Sequence, residues 1–107
     1  MPADFGEYMI NSRQRAYLRS LAMNYPVIFQ VGKNGISEET VKQLINALEA
    51  RELIKVRVLE NCPYDAREAA DTISLATESE VVCVTGRTFV LYRQSKENKV
   101  IDINGRL

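Results

Sequence analysis

The chain has 107 residues, of which 14 are lysine or arginine and 14 are aspartate or glutamate, and it contains no histidine. This length fits one compact domain, and a hydrophobic fraction of 46% is sufficient for a buried core. Zero net charge argues against a protein that coats nucleic acid through a uniformly positive field. The lack of histidine excludes Ser-His-Asp and Cys-His catalysis and imidazole metal ligands.

The first predicted element is an amphipathic helix, preceded by residues 1–11, which we interpret as a flexible leader. Ser12 is a candidate N-cap, because its hydroxyl can accept a hydrogen bond from a backbone N–H in the first turn. Apolar residues then recur at helical spacing as far as Met23. Pro26 prevents the helix from continuing, since the residue before a proline avoids helical angles.

Four later segments are rich in β-branched and aromatic residues and predict strands: 27–31, 53–59, 81–85 and 88–92. An amphipathic helix with Ser37 as its cap follows the first strand. Asp65 and Glu68 match a capping box that opens a further helix, which continues to about Thr77. Only Gly86 and Arg87 separate the last two strands, which predicts a tight hairpin.

The predicted order is therefore one helix followed by βαβαββ. This order indicates an α/β fold of the two-layer α+β type, with a mixed four-stranded sheet packed against helices. Helical connections favour parallel pairing among the first three strands, and the hairpin makes the fourth antiparallel to the third. We expect a single domain over residues 12–99 and a C-terminal tail over residues 100–107, where Val100–Ile103 is a candidate short strand.

The cysteines and the hydropathy of the chain give expectations about its environment. Cys62 and Cys83 form no CxxC pair, so a structural zinc and a disulfide framework are both disfavoured. Cys83 lies in an apolar run and is expected to be a small buried hydrophobe. Apolar runs are far shorter than the roughly 20 residues that span a bilayer. We therefore expect a cytoplasmic protein in a reducing compartment, without a membrane anchor.

The most informative motif is the loop Gly32-Lys33-Asn34-Gly35, which joins a strand to a helix. Its spacing matches neither the P-loop nor the dinucleotide-binding GxGxxG pattern. It is similar to the GxxG loop of KH domains, which clamps the backbone of single-stranded nucleic acid. Two glycines between a strand and a helix are also ordinary turn chemistry, so the motif alone leaves both interpretations open.

The zero net charge conceals an uneven distribution along the chain. Residues 10–37 contain four basic side chains and no acidic one, and residues 85–99 contain four basic and one acidic. Residues 60–80 contain six acidic side chains and one basic. If the basic segments meet around the glycine loop, they form a surface that can follow phosphates. The acidic third helix is then expected to face away from this surface.

Four motifs in order resemble those of the CRM domain (chloroplast RNA splicing and ribosome maturation), whose bacterial stand-alone members are called YhbY-like: 12–22, 31–36, 47–56 and 86–93. The resemblance covers most of the chain. It implies the topology of the C-terminal domain of bacterial translation initiation factor three. It also implies a non-enzymatic RNA-binding protein that associates with ribosomal RNA or with precursors of the large ribosomal subunit.

The resemblance also implies which residues contact RNA. Apart from the resemblance, we expect a monomer without a small-molecule cofactor or a metal. The loop residues Gly32, Lys33, Asn34 and Gly35 would contact the RNA backbone. Three arginines of the first helix would extend this surface: Arg13, Arg15 and Arg19. Two further candidates flank the last strand: Arg87 and Arg93.

Two other classes of function were weighed against RNA binding. A protein-interaction module that associates with ribosomal or other partners without touching RNA fits the neutral charge and the acidic helix. An enzyme fits poorly, because no nucleophile and base are recognisable as a pair. The carboxylates of Asp65, Glu68 and Asp71 are explained as caps and solvated charges.

Overall fold

The computed structural model describes residues 10–97 and 99–102. Within these residues the helices are α1 (Ser12–Ala22), α2 (Glu38–Arg51) and α3 (Ala66–Thr77). The strands are β1 (Phe29–Val31), β2 (Leu53–Val58), β3 (Glu80–Thr85) and β4 (Thr88–Tyr92). The chain order α1-β1-α2-β2-α3-β3-β4 confirms the prediction of one helix followed by βαβαββ.

The four strands form one mixed sheet in the spatial order β1-β2-β4-β3. β1 and β2 are parallel, whereas β4 is antiparallel to both of its neighbours. The prediction of parallel pairing was right for β1 with β2 and wrong for β2 with β3, because β4 lies between them. β4 takes this central position because four consecutive residues, Phe89 to Tyr92, are buried, and only an interior strand is covered along both edges and both faces.

The two faces of the sheet carry separate apolar clusters. Ile54, Val56 and Val58 of β2 point to the face that α2 and α3 cover, as their alternation predicts. Leu53 of the same strand packs instead with Leu18 of α1 on the opposite face. Helices therefore cover both faces, and α1 adds a partial layer to the two that were predicted.

The helix caps follow the sequence signals, with one correction. Ser37 caps α2, and Asp65 forms the predicted capping box with Glu68. The cap of α1 is Asn11 and not Ser12: the Asn11 side chain accepts a hydrogen bond from Gln14 N at 2.8 Å, and Gln14 Oε1 accepts one from Asn11 N at 2.9 Å. Asn is as good an N-cap as Ser, and the reciprocal glutamine selects it.

The C-terminal segment, residues 93–97 and 99–102, is held by two glutamates at the end of α2. Glu52 is fully buried, and its carboxylate accepts hydrogen bonds from the backbone N–H groups of Ser95, Val100 and Ile101 at 2.7–2.8 Å. Glu49 accepts hydrogen bonds from Ser95 Oγ at 2.7 Å and from Lys96 N at 3.1 Å. Backbone donors thus satisfy a carboxylate that burial would otherwise destabilise.

The ends of the chain add three observations. Ile10 is buried in the α1 cluster, while residues 1–9 of the expected leader lie outside the described residues. Residues 99–102 contain no strand, and the rest of the candidate strand, Ile103, is also outside them. Among the helices of the described part of the chain, none is long and apolar enough to cross a membrane.

Candidate nucleic-acid interface

The loop Gly32–Gly35, here called the glycine turn, is a hydrogen-bonded β-turn at the carboxyl end of β1. Gly35 N donates a hydrogen bond to Gly32 O at 2.9 Å, which places Lys33 and Asn34 at the tip, where both are exposed. Gly35 has a φ of 69°, a backbone conformation that side chains with a Cβ rarely adopt. The turn therefore presents one cation and one amide side chain to solvent.

The segment after β2 supports the glycine turn from below. Leu59 N donates a hydrogen bond to Val31 O at 2.9 Å, which fixes the two segments side by side. A Cβ at Gly35 would lie 3.4 Å from the Tyr64 ring and 3.5 Å from Pro63 Cγ. Tyr64 remains 36% exposed, so the turn has an accessible aromatic ring directly against it.

The β3–β4 hairpin brings Arg87 to the end of the sheet that carries the glycine turn, where β1 and β2 also end. Val58 N, at the end of β2, donates a hydrogen bond to Arg87 O at 2.7 Å. The turn is possible because Gly86 has a φ of 60°. The exposed Arg87 side chain is thus about two strand spacings, roughly 10 Å, from β1.

The amino end of α2 follows the glycine turn, and two carboxylates of its own first turn lie there. Ser37 Oγ accepts a hydrogen bond from Thr40 N at 3.1 Å. Glu38 and Glu39 occupy the first turn and are exposed. These carboxylates complement the helix dipole, so they also oppose an incoming phosphate. An anion at this edge would depend on the turn and nearby cations more than on the helix end.

Two of the predicted arginines lie away from the glycine turn. Arg93 follows β4, at the end of the sheet opposite the glycine turn, and its backbone N–H donates a hydrogen bond to Glu52 O at 2.9 Å. The length of β2 separates the two ends of the sheet by about 17 Å. Arg13 is exposed on α1, about 140° around the helix axis from the buried Leu18. Neither residue is brought next to the glycine turn by the fold.

Arg15 has a structural task that the sequence does not reveal. Its guanidinium donates hydrogen bonds to the carbonyls of Val81 and Val82, the second at 3.2 Å. These carbonyls lie where a bulge interrupts the pairing of β3 with β4 between Val81 and Cys83. Arg15 therefore supplies a charged donor to two backbone acceptors of the edge strand β3.

Arg19 lies on the same flank of α1 and is exposed, close to Cys83 of the edge strand β3. Burial raises the pKa of the Cys83 thiol, while the charges of Arg19, Lys55 and Arg15 act in the opposite sense. Three cations are therefore close to one strand position. Cys83 itself is only partly buried, in contrast to the fully apolar environment that its sequence context predicts.

Lys55 and Arg57 are basic residues that the search for basic segments missed. Both face the α1 side of β2, as the alternation of that strand predicts, and Arg57 is exposed at a position paired with Gln30 and Thr88. They were missed because they are isolated cations in an apolar strand, so no run of charge marks them. The register of β1 with β2 places Arg57 opposite Gln30, two residues before the glycine turn, and Lys55 further from the turn, near Ile28.

The acidic helix α3 is only partly separated from this edge. It packs on the sheet face opposite α1, through Ala69, Ala70 and Ile73. Its Asp71 is engaged by Arg67 at 3.0 Å in an exposed ion pair. Its amino end, however, follows Tyr64 directly, so the cap Asp65 lies at the edge that carries the glycine turn.

The exposed glycine turn and the cations Lys55 and Arg57 on one sheet face thus belong to one small mixed α/β domain. Residues 10–93 match the CRS1/YhbY (CRM) domain model. The chain belongs to this family, as its motifs predict.

Similar proteins extend along nearly the whole chain. The YqeI protein of Bacillus subtilis, named a probable RNA-binding protein, is 46% identical over 95 residues, which cover 89% of this chain and 99% of that protein. A protein of Haemophilus influenzae named as RNA-binding is 31% identical, over 85% of this chain and 92% of its own length. The solution structure of a hypothetical Staphylococcus aureus protein, described as a candidate RNA-binding protein, is 54% identical and superimposes with a TM-score of 0.74, over 88% of this chain and 98% of that one.

Proposed function

We propose that this protein is a non-catalytic RNA-binding module and that the glycine turn contacts the sugar-phosphate backbone. The observation that carries the proposal is the exposed Lys33-Asn34 tip of a turn whose two glycines allow close approach of a ligand to the backbone. Lys33 supplies a flexible point charge for a phosphate. Arg87 at the same edge supplies a second cation.

Tyr64 is the best placed residue to contact a base. Its ring lies against Gly35 and keeps an accessible surface. Unpaired RNA bases stack on exposed aromatic rings, and this interaction tolerates any base because each has a π-face. Phosphate contact at the turn and stacking on Tyr64 would together hold a short single-stranded stretch of RNA.

The RNA that we propose as the ligand is ribosomal RNA in precursors of the large subunit, in the cytoplasm. Membership of the CRM family supports this choice, and the relatives named as RNA-binding proteins support the ligand class. The test is ultraviolet crosslinking in cells, followed by sequencing of the RNA bound to the wild type and to a Lys33→Glu, Asn34→Asp double variant. We expect enrichment of large-subunit RNA that the double variant loses. Enrichment of unrelated RNA, or equal enrichment by both proteins, would contradict the assignment.

A protein-interaction module is the second candidate. The zero net charge and the carboxylates of Glu38 and Glu39 beside the glycine turn favour it. Partners that co-purify from a nuclease-treated extract as well as from an untreated one would support this alternative. Partners that disappear with nuclease treatment would support RNA binding.

A further inference from the structure

The sheet face that α1 leaves uncovered carries a band of polar and basic side chains. α1 packs over the end of the sheet that contains Leu53 and Tyr92. Beyond it, one cross-strand row runs through all four strands, from Gln30 through Arg57 and Thr88 to Thr85. The row spans about 14 Å, three strand spacings. Together with Lys55, these four residues form what we call the open sheet face.

The charge on the open sheet face has one sign. Arg57, Gln30 and Thr85 are exposed. Lys55, two residues before Arg57 on the same face of β2, is partly exposed. Neither the row of Arg57 nor the row of Lys55 contains an acidic residue among the described positions. Solvated protein surfaces ordinarily intersperse both signs. Two cations at alternate positions of one interior strand, without a neighbouring acid in either row, therefore create a local positive potential.

The surrounding cations converge on the same area. Arg19 of α1 and Lys55 of β2 both act on the Cys83 thiol, which occupies the row of Lys55. Arg19 is exposed at the border of α1. The positive surface therefore extends from the α1 border to Arg57, which is two residues before Leu59, the first residue of the segment that supports the glycine turn.

The location suggests which ligand this surface takes. Gln30 is two residues before Gly32, so the open sheet face adjoins the beginning of the glycine turn. At the edge itself, the carboxylates behind the turn offset part of the attraction that Lys33 and Arg87 exert on a polyanion. The open sheet face adds attraction without acids in its two described rows, and it has no exposed aromatic ring in those rows, which suits phosphate and ribose better than bases.

We infer that the open sheet face is a second RNA-contact surface, centred on Arg57. It holds the sugar-phosphate backbone of the RNA at the point where the RNA extends beyond the glycine turn. This inference rests on the proposed RNA-binding function and adds a surface to it. The contacts would be independent of sequence, with Arg57 and Lys55 on phosphates and the side chains of Thr85 and Thr88 as hydrogen-bonding groups for ribose or phosphate oxygens.

The test compares Arg57→Gln with Arg51→Gln in titrations against purified large-subunit ribosomal RNA at several salt concentrations. Both changes remove one positive charge from an exposed side chain, but Arg51 ends α2 and lies at the edge opposite the glycine turn. We expect Arg57→Gln to weaken binding roughly five- to tenfold and to reduce the slope of log affinity against log salt by about 0.7. Arg51→Gln should change the affinity less than about twofold, and Arg57→Lys should keep the salt slope.

The outcomes separate this inference from the proposed function. If the wild type binds no RNA, both are wrong. If the Lys33→Glu, Asn34→Asp variant loses affinity but Arg57→Gln matches Arg51→Gln, the glycine turn stands and the second surface is refuted. If Arg57→Gln leaves RNA affinity unchanged but loses a nuclease-resistant protein partner, the open sheet face is a protein interface and the inference is overturned. Because Arg57 is exposed, all variants should unfold at the wild-type temperature.

Discussion

Arg15 and Arg19 lie on the same helix but differ in their contacts with the sheet. Arg15 is held by two carbonyls at the β3 bulge, whereas Arg19, four residues later, is exposed. Sequence spacing places the two side by side on α1 and gives no reason to separate them. The difference arises from β3, whose irregular pairing presents acceptors to one arginine only.

Replacing Arg15 with alanine should therefore destabilise the fold. We expect Arg15→Ala to lower the free energy of unfolding by about 1–3 kcal/mol, because two partly buried carbonyls lose a charged donor. Chemical denaturation measures this, with Arg19→Ala as the matched control, expected within about 0.5 kcal/mol of the wild type. Equal stability of the two variants, together with a lower salt dependence of RNA binding for Arg15→Ala, would show that Arg15 contacts RNA instead.

Glu49 makes the docking of the C-terminal segment sensitive to acid. The hydrogen bond from Ser95 Oγ is the main cause that lowers the pKa of Glu49 below its ordinary value of 4.5. Backbone N–H groups of Glu97 and Lys96 and the charge of Arg93 act in the same direction, against the cost of desolvation. A lowered folded pKa contributes stability that is complete above the unfolded pKa and is lost as pH falls through the folded one.

Glu49→Gln should therefore be less stable than the wild type near neutral pH, and the difference should shrink as the solution is acidified below about pH 4.5. Thermal unfolding of both proteins across this range measures the effect. A difference that stays constant down to strongly acidic pH would mean that the titration of Glu49 is not linked to folding.

For helices and strands, sequence patterns predict where each element begins and ends better than they predict which elements lie next to each other. Caps and alternation are decided within a few residues, so α2, α3 and the faces of β2 are predicted correctly. The position of β4 between β2 and β3 depends on which strand buries most surface, which no local pattern contains. The separation of Arg87 from Arg93 does not depend on this order, because the extended strand between them carries them to opposite ends of the sheet.

The buried Glu52 was missed for a related reason. A glutamate at the end of an amphipathic helix is ordinarily exposed, and nothing nearby in the sequence predicts that Ser95, Val100 and Ile101 donate to it. Ser95 lies in a polar stretch of the sequence and is nevertheless buried, because it donates to this carboxylate. The pairing joins positions more than 40 residues apart, beyond the reach of capping or spacing rules.

Substitutions at the two glycines of the glycine turn distinguish a role in stability from a role in RNA binding. A methyl group at Gly32 would lie 3.5 Å from Leu59 Cδ1 and 3.6 Å from Asn61 Oδ1, which are ordinary contacts. At Gly35 the φ of 69° makes any side chain strained, by about 1–2 kcal/mol. We expect Gly35→Ala to lower stability by this amount and Gly32→Ala to leave stability within about 0.5 kcal/mol of the wild type.

If RNA approaches the backbone at the turn, Gly32→Ala should still weaken RNA binding, because its methyl group would keep a phosphate away from the amides. Paired measurements of thermal unfolding and RNA affinity check this. Wild-type affinity for Gly32→Ala would show that the first glycine serves only the turn.

The charges of this neutral chain are partly segregated between the two faces of the sheet, although acidic and basic side chains mix at the end that carries the glycine turn. Lys55 and Arg57 lie on the α1 face of the sheet, while the ion-paired Asp71 belongs to α3 on the other face. Segregation of this kind allows an RNA-facing side without the uniformly positive field that makes a protein bind nucleic acid indiscriminately. The zero net charge is therefore compatible with RNA binding and predicts weaker nonspecific association than a basic domain would show.

We expect the exposed tip of the glycine turn to bind RNA, and a direct titration tests this claim. Purified wild-type protein and the Lys33→Glu, Asn34→Asp variant are titrated into labelled large-subunit ribosomal RNA, and their thermal unfolding is measured in parallel. Both residues are exposed, so we expect unchanged unfolding temperatures and a loss of affinity of roughly tenfold or more. Equal affinities of two equally stable proteins would contradict the claim.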